Sequence, residues 1–460
     1  MTFSRANPSS HLTGGHPLAR SANRNFAGDK ARKHSVFVWP GYILFFFILY
    51  LPVTHNVLKG VMVAVVLAIV LGRYLICYRG LRLHSTIRKW ALFYSAAGVF
   101  YILLGLIEAA PGALFSSFVY VIFPLVYIIF IAAATDAKIW IGLLKLLPIA
   151  AIAIGLGTLE YLLWTIGIFP NFLYVDPGLV HNIAFYDGYV QMSHYSLSTL
   201  VFVVPYLVAA LVVYTKVRPS FISRKILWIA FLLGTGVALV SGRRALLIVI
   251  GLAPLLTWLF RAKLPISIRL ASRRQMLTTL LACVFSVLSI GLYLGRTLNL
   301  NWQGLQNLVV EGFDTSNSSQ GAVARSEQFQ ALLRGWEEQP IFGHGLGSYM
   351  PEVERSSDRP WAYELQYNLL LFQTGLIGVA LYGSGVFWLY WKGIKLIRTG
   401  SPIGNHMVPV LVGTTSFLVA NAVDPYLQTF GQLWTLFLPI GLINWQMVSV
   451  KATAVKSAST

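Results

Sequence analysis

Two adjacent arginines, Arg243 and Arg244, interrupt an otherwise apolar stretch, SGRRALLIVI at 241–250. A guanidinium near membrane depth is costly, and its planar fork matches the oxygens of a phosphate. The pair therefore either faces a cavity that receives an anion or reaches out to lipid headgroups. A second group lies in ARSEQFQALLRGWEEQPIFGHGLGSYM at 324–350, an amphipathic helical pattern carrying Arg325 and Arg334 that runs into a glycine-rich turn. Both arginines can pair with Glu327, Glu337 or Glu338 on a solvated face, and that pairing is the expectation for Arg334. The GHGLGSY run, taken alone, is a tight turn more readily than a phosphate cradle. A third candidate is Glu364 in WAYELQYNLLLFQTGLIG at 361–378, one turn before Tyr367 and expected to share a helical face with it. A carboxylate at a partly desolvated boundary can acquire the raised pKa of a general base. Its bland alternative is an ion pair with Arg355 or Arg359. Trp361, Tyr363 and Tyr367 are expected in an interfacial aromatic belt. His181, Asp187 and His194, in a smaller polar stretch, are further candidates for substrate contacts or, failing Glu364, for the base.

The elements that must position these residues are membrane helices. The chain has 460 residues, 56% hydrophobic and 11% charged, with mean hydropathy +0.67, which excludes an ordinary water-soluble domain. A helix needs about 20 mostly apolar residues to cross a hydrocarbon core of about 30 Å. Stretches of that kind fall at 36–52, 57–76, 90–107, 113–134, 143–166, 192–214, 226–241, 244–260, 276–295, 364–391, 405–423 and 430–448. The expected fold is thus all-α, a polytopic bundle of about 12 transmembrane helices, nine of them in 36–295 and three in 364–448. The segments around Gly242 can also be read as one re-entrant element. Lys and Arg test the count: with the amino terminus inside, 26 of the 35 fall in cytoplasmic stretches and eight outside, with Lys145 at a helix start. Both termini are then cytoplasmic, 1–35 as a disordered tail and 449–460 as a short one. The large loop at 296–363 lies outside, with a smaller one at 167–191. The net charge of +19 suits loops held against anionic lipid and does not call for nucleic acid. Cys77 and Cys283 form no metal or disulfide spacing, and no Asp-x-Asp pair occurs, so no metal or cofactor is expected.

In their order along the chain these elements resemble the bacterial O-antigen ligase and polymerase superfamily of polytopic membrane glycosyltransferases, over roughly 200–445. The likeness rests on Ser241, Gly242, Arg243 and Arg244 at the outer end of a central helix, on Arg325, Trp336 and the Gly343–Tyr349 turn in the large loop, and on QYNLLLFQTGLIG. NAVDPYL at 421–427 resembles the family's late Asn- and Pro-containing stretch. Ligases of the family carry histidine before the Asn, where this chain has Tyr367, so the resemblance implies polymerisation before ligation. It implies a donor of oligosaccharide linked to undecaprenyl diphosphate, a growing polysaccharide as acceptor, and a site on the periplasmic face of the inner membrane. Chain-length regulator and flippase proteins are implied as partners beside the bilayer. It also implies a role for Arg243, Arg244 and Arg325 at the diphosphate; with the histidine missing, Glu364 one turn earlier is the candidate base, and Tyr367, His181 and His194 are candidate contacts. Two alternatives remain at this point: a ligase that transfers glycan to lipid or protein, and a transporter or lipid-linked sugar flippase, for which Glu160 inside the fifth span is the most suggestive residue.

Overall fold

A computed structural model describes residues 38–77, 81–165, 167, 168, 170, 180–186, 189–214, 222–264, 273–297, 320–354, 356–400 and 402–458. In chain order the elements are α1 (Trp39–Tyr50), α2 (Asn56–Cys77), α3 (Ser85–Ile107), α4 (Ala113–Ala133), α5 (Ala137–Thr165), β1 (Val180–Tyr186), β2 (Tyr189–His194), α6 (Leu197–Val213), α7 (Arg224–Ser241), α8 (Arg244–Arg261) and α9 (Arg273–Thr297). They continue with α10 (Gln320–Glu338), α11 (Gln366–Arg398), α12 (Pro402–Ala420) and α13 (Trp434–Ala458). Among the described residues eight helices are long and apolar enough to cross a membrane: α2, α3, α4, α5, α7, α8, α11 and α12. Shorter apolar stretches occupy α1, α6, 277–286 of α9 and 434–450 of α13.

The molecule departs from the expected all-α fold in one place. The smaller loop folds back as an antiparallel hairpin, β1 against β2, with an irregular register between Val180 and Asn182. Residues 192–194, read from sequence as the start of a helix, belong to β2, and α6 begins at Leu197. At the other extreme α13 runs through to Ala458 where a tail was expected. The tail at 1–35 and the stretch 298–319 of the large loop lie outside the described residues.

The core sits around α6. All of Leu197–Val213 is buried, as an apolar-all-round helix must be. Helices α2, α3 and α4 lie at the rim and turn residues such as Val57, Leu75 and Leu103 outward, the faces a bilayer would cover. In α4 a π-helical turn at Phe118–Ile122 precedes Pro124. Proline lacks an N–H and clashes with the carbonyl four residues back, and the widened turn accommodates both.

Contacts fix which helix ends lie together. At one end Ser196 and Thr199 donate to the Tyr50 and Leu49 carbonyls (both 2.6 Å), Lys59 to Leu51 and Pro52 (2.8 and 2.9 Å), and Tyr367 to Leu418 (2.6 Å). At the other, Asn444 bridges His84 and Arg82, and Tyr42 reaches the Lys138 carbonyl (3.3 Å). The first end carries α10 and the turn between α12 and α13.

Candidate active site at the arginine-bearing end

Gly242 answers the question of one element or two. It adopts φ 60°, ψ 8°, a left-handed conformation that stops α7, and α8 starts two residues later. The Ser241 hydroxyl accepts the Arg243 N–H at 3.2 Å and holds the turn. Arg243 is therefore the residue preceding α8 and Arg244 its first, both half-buried. The positive end of α8 has no carboxylate in its first turn, so the helix dipole favours an anion placed there.

Arg325 and Gln328 stand one turn apart on α10 and grip the same residue. Arg325 Nε donates to Glu364 Oε2 at 2.6 Å, and Gln328 Oε1 accepts the Glu364 N–H at 3.1 Å. This differs from the sequence expectation in two respects. Glu364 precedes α11, which starts at Gln366, so it shares no helical face with Tyr367. It pairs with Arg325, while Arg359 packs over the Phe115 ring; the pairing expected with Arg355 falls outside the described residues. Tyr367 gives its hydroxyl to Leu418 and serves packing between α11 and α12. Arg334 pairs with Glu352 (2.7 Å), a carboxylate the helical spacing did not suggest.

The residue that sequence reasoning missed is Asp424, in the turn between α12 and α13. The Tyr426 hydroxyl donates to Asp424 Oδ2 at 3.0 Å and accepts from the Arg243 guanidinium. Burial raises the Asp424 pKa; Arg243 and, more weakly, Arg325 pull it back, while the Glu364 charge raises it further. The same carboxylate thus feels Arg243, Arg325 and Glu364 together, which places all of them at one end of the bundle. Burial also raises the Tyr426 pKa. The signal available in NAVDPYL was a lone acid between two apolar spans, at the end where the arginines had already been placed. Gln428 donates to the Tyr363 carbonyl (3.2 Å) and Gln432 to Ser198 (2.6 Å), so the turn is tied both to the loop and to the core.

His194 sits buried at the end of β2, 3.1 Å from the Thr158 hydroxyl, with its pKa pushed down to about 4 by burial and by Arg243. It is a neutral ring beside the cluster. His181 lies on β1 at the irregular register, and Asp187 lies outside the described residues. Glu160 is on α5 within electrostatic reach of Tyr50.

The glycine-rich turn braces the site. At Gly375 (φ 59°, ψ −169°) α11 breaks, and a Cβ there would collide with the Ile341 carbonyl. The exposed backbone groups are taken up by the turn: Leu376 and Ile377 donate to Pro340 and Ile341 (2.9 and 3.2 Å), and His344 and Gly345 donate to Phe372 and Gln373 (3.1 and 2.8 Å). Leu346 donates to Tyr101 on α3 (2.9 Å), and Gly112 to Gly347 (3.2 Å). With these N–H groups engaged, the turn is no phosphate cradle. Leu332, Tyr363, Leu369 and Phe372 form the small core that seats α10 on α11.

Arg243 and Arg325 stand with Glu364 and Asp424, an arrangement of cations and carboxylates that can steady a departing anion and accept a proton. Among the described residues no His, Cys, Asp and Glu grouping could hold a metal. A large cavity between α1, α2, α4, α5 and α13 is lined by none of these residues. No protein-family model matches the chain, and no curated protein is detectably similar to it in sequence.

Proposed function

We propose that the chain is a metal-independent membrane glycosyltransferase that polymerises oligosaccharide repeats linked to undecaprenyl diphosphate. In this reading the bundle crosses the inner membrane twelve times with both termini in the cytoplasm, and the arginine-bearing end faces the periplasm. The observation that carries it is the convergence of Arg243, Arg325, Glu364 and Asp424 on one another from four separate parts of the chain.

An acceptor hydroxyl attacks the anomeric carbon of the donor. The new C–O bond forms as the bond to the diphosphate oxygen breaks, and the electron pair leaves on the diphosphate. Arg243, Arg244 and Arg325 lie where that charge grows, and the first turn of α8 adds its dipole. The hydroxyl proton goes to a carboxylate. Glu364 was the expectation, but its Oε2 is engaged by Arg325 Nε at 2.6 Å. Asp424, whose proton affinity burial increases, fits that task better, with Glu364 orienting Arg325 and Tyr426 linking Arg243 to Asp424.

The test is elongation of lipid-linked repeats by purified protein in detergent, where nothing can be translocated. Polymer made there separates the reading from a transporter. Arg243→Ala should reduce elongation by about 10²–10³-fold, the loss typical of one pre-placed anion-stabilising donor, with normal membrane insertion. Full-length polymer from that variant would remove the clamp from the mechanism.

A further inference from the structure

Beside α3 the glycine-rich turn lies well below the end of the helix. Between Lys89 and Glu108 the chain carries no charge, and at 1.5 Å per residue the rise from one to the other is about 28 Å, close to the hydrocarbon thickness of about 30 Å. Lys89 and Glu108, both exposed, thus mark the two boundaries of that span. Phe100 comes eight residues before Glu108, which puts it about 12 Å beneath the boundary. Phe342 of the turn packs edge to face with Phe100, ring centroids 6.1 Å apart, and the Leu346 N–H meets the Tyr101 carbonyl at 2.9 Å. Helix α11 gives a similar level independently. Leu376 and Ile377 donate to the Pro340 and Ile341 carbonyls (2.9 and 3.2 Å). Leu376 stands sixteen residues before Lys392, a rise of about 24 Å that stays inside a core about 30 Å thick.

Irregular backbone at membrane depth survives only where protein satisfies it. Gly343, His344, Gly345 and Leu346 donate to Gln339, Phe372, Gln373 and Tyr101. A Cβ on Gly345 would strike the Gly105 backbone, and one on Gly105 the Leu346 carbonyl, so glycines on both sides let the turn lie directly against α3. The side chains at the tip are differently placed. Ile341 is 54% and Phe342 48% exposed. Through their contacts they continue the outward-facing Phe100 and Leu103 of α3 and Leu376 and Ile377 of α11. Both helices are long and apolar enough to cross a membrane, so the tip extends a surface of the kind lipid covers. Charge resumes at the exposed Glu337 and Glu338 that end α10. Next to them the Trp336 indole donates to the Pro340 carbonyl at 3.1 Å, the amphipathic setting of an interfacial tryptophan.

We propose that residues 340–347 form a re-entrant segment: the large loop dips into the bilayer beside α3 and α11 and presents Ile341 and Phe342 to acyl chains. The partner of this surface is the hydrocarbon of the leaflet on the arginine-bearing side. The inference requires only that the bundle spans a membrane, whatever reaction it carries. Pro340 follows the last residue of α10 by two positions, so the dip holds that end of the helix carrying Arg325 at a fixed depth.

Spin labels attached through Ile341→Cys or Phe342→Cys, in the full chain with Cys77→Ala and Cys283→Ala, test this in vesicles of phosphatidylcholine and phosphatidylglycerol. Electron paramagnetic resonance power saturation compares contact with oxygen, which concentrates in hydrocarbon, and with a neutral nickel chelate, which stays in water. Leu103→Cys, on the outward face of α3, and Glu352→Cys, whose parent side chain is 61% exposed, calibrate the two environments. Both tip labels should behave as Leu103→Cys does, with oxygen contact dominant. Their depth should exceed about 10 Å below the phosphates, beyond the roughly 5–10 Å reached by a helix that rests in the interface. Nickel contact matching that of Glu352→Cys would put the tip in water, contact with neither reagent would put it inside the protein, and a depth within the headgroup layer would reduce it to a surface contact. Each of these overturns the proposal, and because no turnover is read, none of them bears on the glycosyltransferase reading.

Discussion

Helix α10 carries two arginines, Arg325 and Arg334, whose ion pairs are alike in length and unlike in setting. Nine residues at about 100° each put them on opposite faces of the helix. Arg325 meets Glu364 at 2.6 Å and Arg334 meets Glu352 at 2.7 Å, but the side-chain exposures are 41% and 18% in the first pair and 59% and 61% in the second. The inward pair also sits in the field of Asp424, and through it answers to Arg243. The outward pair joins α10 to the short turn at Pro351–Val353. Distance alone says nothing about role; what separates the two is the company each guanidinium keeps and how far water is excluded from it.

The sharpest way to break this contrast is to remove the inward cation. Arg325→Ala is expected to lower elongation of lipid-linked repeats by 100-fold or more, and Arg325→Lys to restore only a fraction, since a point charge cannot reproduce the planar fork. Asp424→Asn comes next, with an expected loss of 10- to 100-fold. The raised Asp424 pKa fixes the sign of its pH dependence: the base is active when ionised, so activity falls as pH drops through that pKa. The acid limb should therefore lie above the ordinary aspartate value of about 3.9, and Asp424→Asn should abolish it, while Glu364→Gln should lower the rate with the limb in place. An unchanged limb in Asp424→Asn would return the base to Glu364.

Much of this was legible in the sequence because bilayer physics is written in composition. Apolar length gave the helices: each stretch expected to cross contains an apolar helix among the described residues, and eight of those helices are long enough to cross. The arginine motif was conspicuous because charge is scarce there. The pairing was not legible: Arg325 and Glu364 are separated by 39 positions, and nothing in helical spacing brings them together. Asp424 escaped for a related reason, since a single acid in a short turn has no periodicity, and its importance arises only when the turn is tied to Tyr363 and Ser198. The hairpin was missed because 180–191 reads as a polar loop without strong alternation, and 192–194 run into the apolar stretch of the next helix.

Two changes that touch neither pair directly probe the scaffold that keeps them distinct. Gly375→Ala forces a side chain into a backbone conformation reserved for glycine and against the Ile341 carbonyl. It is expected to cost on the order of 1–3 kcal/mol, read as a lower Tm in detergent, and to loosen the seat of α10. His194 binds a proton less readily in the folded chain, at about 4 against the usual 6.5. The unfolded chain therefore gains protons first, so stability drops as pH falls from about 6.5 toward 4 and the loss levels off below that. His194→Gln should flatten that part of the Tm profile; a profile identical to the parent's would mean the ring is already free to protonate.

The smallest effect is expected from the outward pair, and its smallness is the informative result. Arg334→Ala removes an ion pair in which both side chains are more than half exposed, and such pairs contribute about 0–1 kcal/mol. Elongation should stay within about twofold of the parent, and added salt should change the variant and the parent alike because water already screens the pair. Glu352→Ala should match it. If Arg334→Ala instead matched Arg325→Ala in rate, orientation around α10 would carry no functional meaning, and the large loop would have to be engaging its substrate from its outer face.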